Sequence, residues 1–415
     1  MDSLPRHPTT PKESRAALLR VAARRYRRRS RILLIVLPAT AAACVGPRPQ
    51  QASVTTPAAR SVVDSLQRLV PLWLDSLNVR GAAVALVDDG AVVWEQGFGS
   101  VDRRGTPVTR ATRFQVGSIS KSVTAWGVVR LLEDQRISLD APVQPFLKRW
   151  TFPSVDSGGY ANAITFRQLL SHTAGLTVSG YAGTHPDSVL PSVVESLRGT
   201  ALAPGVTIAN RPGARWQYSG GGYTVLQLLV EELSRQSFPV FMRDAVLHPL
   251  NMSSSTFAWS EVPRDRASLP FASPDSVLPS YRFAELAAAG LWATAGDIGR
   301  FVAASVGGPV RASFPQGLSP VTLEAMQTPA PNAEIPQMVG YGLGYLLDSL
   351  ASGERVITHN GVSAGWRALY VAVPARRAGV VILTNSESGM ALNNRVACAW
   401  IRVALQAARR GCRAA

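Results

Sequence analysis

Apolar positions along this chain recur at two periods, and the switches between them mark out the elements. From Ser61 onward, Val62, Leu66, Leu69, Val70, Trp73 and Leu74 fall at helical spacing, which predicts an amphipathic helix. Two short apolar runs follow, Ala82-Ala83-Val84-Ala85-Leu86-Val87 and Ala91-Val92-Val93-Trp94, separated by Asp88-Asp89-Gly90. An Asp-Gly pair between such runs is a hairpin signal, because it tolerates the positive φ angles of a tight turn. Near the other end, Arg355-Val356-Ile357-Thr358, Ala368-Leu369-Tyr370-Val371 and Val380-Val381-Ile382-Leu383-Thr384 read as three more strands. An alanine-rich helix, about Leu392 to Ala408, follows them. The span from about 116 to 335 reads as helical and loop-rich. Helices are expected there over 118–135, 165–171, 223–235 and 297–306, the last opened by a Thr294–Asp297 capping box. Strands so far apart in sequence must pair in one antiparallel sheet. The expected fold class is therefore α/β: an antiparallel sheet flanked by helices, plus an inserted all-helical lobe, in one domain over about residues 61–410.

Composition narrows the function classes. The 415 residues are 46% hydrophobic and 17% charged, which excludes general disorder. No apolar stretch reaches the roughly 20 residues of a membrane-spanning helix, so a polytopic membrane protein is excluded. The net charge of +16 raises a nucleic-acid reading, but its distribution argues against one. Residues 1–31 hold ten basic side chains against two acidic ones, a net of +8 and half the total. The rest is spread without the clustered cations that counterion release requires.

The leader has its own explanation. An arginine run, then Ile32-Leu33-Leu34-Ile35-Val36-Leu37, then small residues from Ala39 to Ala43 make a secretory signal over residues 1–44. The pairs Arg24-Arg25 and Arg27-Arg28-Arg29 also permit a twin-arginine reading. Cys44 directly after Ala41-Ala42-Ala43 resembles a bacterial lipobox, with Ala41 where leucine is usual; ordinary A-x-A cleavage near the same place is the alternative. The expectation is an exported protein, periplasmic or tied to the membrane by an N-terminal lipid on Cys44. Residues 45–60, with Pro47, Pro49 and Pro57, read as a tether. On one continuous helix Cys398 and Cys412 would lie about 21 Å apart, so a bridge between them is not expected unless Gly411 breaks that helix. Five scattered histidines and the absence of C-x-x-C or H-E-x-x-H give no metal site, and no cofactor is implied.

Lysine carries the chemical signal because the chain scarcely uses it. Of 43 basic residues only Lys12, Lys121 and Lys148 are lysine. Guanidinium cannot be deprotonated in a protein, whereas an amine can act as a base. Ser118 stands three residues before Lys121, in Gly117-Ser118-Ile119-Ser120-Lys121. A helix starting at Ser118 would put both side chains on one face, about 5–6 Å apart at Cβ. A serine beside a base, in a first turn whose N–H groups are free to stabilise an oxyanion, is a minimal activated nucleophile. A capping serine and a solvated lysine are the plainer alternative. Two further segments join it: Trp216-Gln217-Tyr218-Ser219-Gly220-Gly221-Gly222-Tyr223 before a helix, and His359-Asn360-Gly361 following a strand.

Ser-x-x-Lys, then the tyrosine segment, then His-x-Gly in this order resembles the serine β-lactamase/penicillin-binding superfamily, on its class C and D-alanyl-D-alanine carboxypeptidase branch. Ile137–Val143, Leu169-Leu170-Ser171-His172-Thr173-Ala174-Gly175-Leu176 and Gly290–Asp297 fit the same family, so the resemblance covers about residues 61–405. It implies that Ser118 is acylated, that Lys121 is base or organiser, and that Tyr218 shuttles a proton. It also implies that His359 and Gly361 line the site, with the N–H groups of Ser118 and Val362 as oxyanion hole. Two positions depart from the pattern. Gly220 replaces the asparagine of Tyr-x-Asn, and His359-Asn360-Gly361 replaces Lys-Thr-Gly, so a fixed cation gives way to an imidazole charged only below about pH 6.5. The expected activity is a serine hydrolase acting through an acyl-enzyme on an ester, amide or D-peptide, esterase or D-amino peptidase rather than efficient β-lactamase. The alternative is a non-catalytic or penicillin-binding sensor of the same fold. The expected partner is a small-molecule or peptide substrate. His172 reads as structural, and Trp292 and Trp366 as core more than cleft.

Overall fold

The structure, a computed structural model, describes residues 56–153, 159–201, 203–308 and 317–412. The signal-peptide and Cys44 lipidation expectations lie outside these residues. Seven strands form the main sheet: β1 (Gly81–Asp88), β2 (Ala91–Gly99), β3 (Gly340–Tyr341), β4 (Leu346–Ser349), β5 (Arg355–Ser363), β6 (Trp366–Val373) and β7 (Ala378–Thr384). Their spatial order is β2-β1-β7-β6-β5-β4-β3, and every neighbouring pair is antiparallel. Strands from the two ends of the chain meet at β1 and β7, as their hydrophobicity required. The β1–β2 hairpin turns at Asp89 and Gly90, both with positive φ.

The apolar runs are continuous because the sheet is covered on both faces. Period two sends Ala83, Ala85 and Val87 of β1 to one core and Ala82, Val84 and Leu86 to the other. On β6, Trp366, Ala368, Tyr370 and Ala372 face the first core, while Leu369, Val371 and Val373 face the second. Helices Pro57–Ser76 and Gly389–Ala404 cover the second face. The helical lobe, with helices Ile119–Gln135, Gly220–Ser234 and Ala295–Ser305, covers the first. Ile119–Gln135 is buried along nearly its whole length, so it runs through the lobe as a central post.

Four local expectations need correction. The first helix begins at Pro57, so the last residues of the expected tether 45–60 are helical. Thr56 Oγ1 accepts from Ala59 N, and the proline sits at the first helical position, where its missing N–H costs nothing. Helix Gly220–Ser234 begins three residues early because Ser219 caps it, its Oγ accepting from Gly222 N at 2.9 Å. The capping box at Thr294 is half built: Thr294 Oγ1 accepts from Asp297 N. The Asp297 carboxylate turns instead to Ser254 N, Ser255 Oγ and Arg300.

The fourth correction is a disulfide. Cys398 and Cys412 are bonded, with Cα atoms 5.3 Å apart. The final helix stops at Ala404, and the chain reverses through Gln406 (φ 48°) and Gly411 (φ 83°), so the 21 Å of a continuous helix never applies. Trp292 and Trp366 are fully buried and meet edge to face at 5.3 Å, in the core as read. Among the described residues no helix is long and apolar enough to cross a membrane. Nor does any cluster of three or more His, Cys, Asp or Glu side chains form there that could hold a metal.

Candidate active site

The serine turn is fixed from below by its own neighbours. Gly117 adopts a positive φ of 51°, and Ser118 follows in helical conformation as the N-cap of Ile119–Gln135. Its hydroxyl makes no capping hydrogen bond, which disposes of the capping-serine alternative. The next serine in the turn, Ser120, is occupied elsewhere: its Oγ donates to Gly117 O at 2.6 Å and accepts from Leu291 N at 3.0 Å. Ser118 Oγ is thus left for Lys121, whose Nζ donates to it at 3.1 Å.

Lys121 is only 2% exposed and makes no ion pair among the described residues. Its second partner is a backbone carbonyl, Ala288 O at 2.8 Å, presented by the four-residue helix Leu286–Ala289. Its Nζ also lies 4.9 Å from the centre of the Tyr218 ring and 5.8 Å from that of Tyr223. The i,i+3 geometry read from the sequence therefore brings Ser118 and Lys121 into contact, and the lobe sets the Tyr218 ring beside the lysine. Neither the Ala288 carbonyl nor the ring of Tyr341 described below carried any sequence signal, since a carbonyl is present at every residue.

The strand side of the site is β5. β4 pairs with it only from Arg355 to Thr358, so among the described residues His359–Ser363 has a partner strand on one edge alone. That free stretch abuts the serine turn. A Cβ on Gly361 would lie 1.9 Å from Val116 O, and a Cβ on Gly117 would lie 2.7 Å from Val362 N. Glycine is needed at both because two backbones touch. Val362 itself projects an exposed side chain.

His359 faces the lobe but does not open into it. Its Nδ1 lies 2.7 Å from Asn360 O, which can only accept, so Nδ1 carries the ring proton and Nε2 accepts from Tyr341 Oη at 3.0 Å. Burial, assisted by the nearby Lys121 ammonium, pulls its pKa down to about 3 against the opposing Asn360 contact. This corrects the expectation of an imidazole that charges near pH 6.5: His359 is neutral throughout the working range. Its ring centre lies 6.5 Å from that of Tyr218. Gly220 opens helix Gly220–Ser234, and a Cβ there would lie 3.2 Å from both Ser179 O and the Tyr181 ring. Tyr181 is held by its hydroxyl, 2.8 Å from Thr224 Oγ1. His172, read as structural, lies in this same cluster, its ring 4.3 Å from that of Tyr218.

An α/β sheet with a helical lobe, and a serine–lysine pair where lobe meets strand, defines the class: a penicillin-binding-protein-like fold. Known structures agree. The octameric penicillin-binding protein homologue from Pyrococcus abyssi superposes with a TM-score of 0.67 at 24% identity, covering 83% of this chain and 77% of its own. SurE crystallised with D-Leu gives 0.65 at 26% identity, covering 85% and 78%. The Beta-lactamase family model matches residues 60–399, and the chain belongs to that family. Relatives include Protein flp of Staphylococcus aureus (strain MW2), 22% identical over 75% of this chain and 60% of its own length. Putative penicillin-binding protein PbpX of Bacillus subtilis (strain 168) is 27% identical over 45% of this chain and 43% of its own. The chain thus spans less than two thirds of either relative.

Proposed function

We propose that this protein is a serine hydrolase in which Ser118 is acylated by an ester, an amide or a D-configured peptide. The observation that carries the reading is the contact between a buried lysine and a serine hydroxyl with no other duty, 3.1 Å apart. In the reaction, Ser118 Oγ attacks the carbonyl carbon while its proton passes to the Lys121–Tyr218 pair. The N–H groups of Ser118 and Val362 receive the oxyanion. The pair returns the proton to the departing alcohol or amine as the C–O or C–N bond breaks. Water then attacks the acyl-enzyme by the same route, releasing the acid and restoring the serine.

The substrate side of the reading rests on the departures at Gly220 and His359. No asparagine amide is there to grip a β-lactam's carbonyl side chain and no strand cation to attract its carboxylate, so esterase or D-amino peptidase activity is favoured over efficient β-lactamase. The D-leucine with which SurE was crystallised supports a D-configured substrate. Export, with the signal over 1–44 and lipid on Cys44, belongs to the same proposal. The Cys398–Cys412 disulfide supports it, because such bonds persist in oxidising compartments.

The test is covalent. A fluorophosphonate should add one adduct, located by peptide mass spectrometry at Ser118 and lost in Ser118→Ala. Short-chain nitrophenyl esters should then give a higher kcat/KM than a cephalosporin reporter. Labelling at Ser120 or Ser219 would overturn the nucleophile, and equal or better cephalosporin turnover would overturn the substrate class.

A further inference from the structure

His172 is a buried histidine with a positive φ of 60°, a backbone conformation in which glycine or asparagine would be ordinary. Strain of this kind persists only where surrounding structure enforces it, and it concentrates at functional sites. The residue follows directly on the short helix Phe166–Leu170 and its cap Ser171. Its contacts converge on one place. Its carbonyl accepts from Gln217 N at 2.8 Å, and its ring Nδ1 accepts from Ser219 N at 3.1 Å. One residue therefore binds the peptide N–H groups on both sides of Tyr218. The ring itself lies against Tyr218 at 4.3 Å, with Tyr341 at 4.7 Å and Tyr223 at 5.2 Å behind it.

The segment continues the pattern. Ser219 Oγ donates to Thr177 O at 2.7 Å, Gly221 N to Val178 O at 3.0 Å and Gly220 N to Ser179 O at 3.2 Å. The chain from His172 to Ser179 is thus a template along which residues 217–221 are laid. We infer that His172 is a positioning residue for Tyr218, its backbone carbonyl and Nδ1 clamping the tyrosine's two flanking N–H groups so that the phenol stands beside Lys121 and Ser118. This rests on the reading of Ser118, Lys121 and Tyr218 given above.

The clamp works only with a neutral ring. Because Nδ1 accepts, the ring proton sits on Nε2, which is buried and without a hydrogen-bond partner among the described residues. Burial first, then the neighbouring charge of Lys121, push this imidazole well below its ordinary pKa. The titratable groups facing it are Lys121, Tyr218, Tyr223, Tyr341 and His359, and none is a carboxylate that would favour protonation.

Four proteins decide the matter: wild type, His172→Asn, His172→Gly and His172→Phe. Each is assayed below its melting temperature for the rate at which a nitrophenyl ester acylates Ser118, and for the pH profile of that rate. Asparagine tolerates the positive φ and sets Oδ1 where Nδ1 stood. Glycine also tolerates it but offers Ser219 no acceptor, and phenylalanine keeps the ring volume without the acceptor. We expect glycine and phenylalanine to slow acylation about 10²-fold with little change in KM, and to displace the pH profile, because the proton-transfer pair is no longer held together. Asparagine should restore about tenfold of that loss and the wild-type profile. Wild-type rate and profile in whichever acceptor-less variant folds, or an equal loss in asparagine with an unmoved profile, would overturn the positioning role. Fluorophosphonate labelling separates the two failures. An adduct away from Ser118 in wild type defeats the proposed function, whereas an adduct at Ser118 in all four proteins with equal rates defeats only the role of His172.

Discussion

Lys121→Arg is the substitution that most directly probes the chemistry. Elsewhere in this chain arginine is the usual cation, forty of the 43 basic residues, so at an ordinary site the exchange would be silent. At Lys121 the slot is defined by two short contacts, 3.1 Å to Ser118 Oγ and 2.8 Å to Ala288 O, with the Tyr218 ring centre 4.9 Å away. An arginine fork can keep the carbonyl contact but cannot take the serine proton, and its extra bulk has no room in a position 2% exposed. Loss of positioned general-base catalysis should slow acylation by about 10²–10⁴, or about 3–5 kcal/mol on the barrier. Overpacking should separately lower stability by about 1–3 kcal/mol. Denaturant unfolding comes first, so that lost fold is not mistaken for lost chemistry. Rapid mixing with a nitrophenyl ester then gives the burst rate. A folded Lys121→Arg protein that acylates within threefold of wild type would refute the mechanism.

Three further predictions follow from other parts of the structure. Gly361→Ala would set a Cβ 1.9 Å from Val116 O, so strand and serine turn must part; we expect about 1–3 kcal/mol of lost stability and at least a roughly tenfold slower burst. Wild-type unfolding and burst rates in that variant would show that the contact does not set the site. His359 titrates at about 3 when folded against an ordinary 6.5, so the unfolded chain takes the proton first. The stability this burial contributes is whole above about pH 6.5 and drains as pH falls towards 3, by about 2 kcal/mol at pH 5. His359→Gln should accordingly lose about 2 kcal/mol less than wild type between pH 7 and 5 in urea unfolding, and parallel curves would contradict it. Replacing Cys398 and Cys412 by serine opens a bond of sequence separation 14 and should cost about 2–3 kcal/mol, read by calorimetry, while ester hydrolysis persists because the bond lies on the sheet face away from Ser118.

What was legible in the sequence is what local spacing encodes. Ser118 and Lys121 sit three apart on a helix, so their contact follows from helix geometry alone. The β1–β2 hairpin was written in Asp89-Gly90, and the single antiparallel sheet in the apolar runs at both ends. What was not legible depends on where the chain goes next. The 398–412 bridge hangs on a helix that stops at Ala404 instead of continuing, which the alanine-rich pattern did not mark. The early start of the Tyr218-side helix hangs on Ser219 capping three glycines, a run that reads as loop by propensity. His172 read as a structural residue at a helix end, and it does follow one. Only the fold reveals that its partners are the neighbours of Tyr218, forty-six residues on in the chain.

The two departures from the family motifs acquire a common physical meaning once the side chains are in place. The side of Gly220 where an asparagine would project is filled by the Tyr181 ring and Ser179 O, each 3.2 Å from the Cβ that glycine lacks. Tyr181 is not free to yield, since its hydroxyl is bound to Thr224, which in turn donates to Gly220 O at 3.1 Å. On the strand, His359 is turned into Tyr341 and stays uncharged. An asparagine and a lysine at these positions would offer a substrate two polar grips, and this chain has neither there. Behind Lys121 and Tyr218 the side chains brought together are Tyr223, Tyr341, His172 and His359, all of them buried. A carboxylate brought against this strand would find no cation at position 359, and giving up its hydration unpaired is costly. An uncharged acyl group would lose nothing by the same burial. The proposed preference for esters over β-lactams therefore rests on filled space and silenced charge together, and restoring asparagine at position 220 alone should not reverse it while Tyr181 remains.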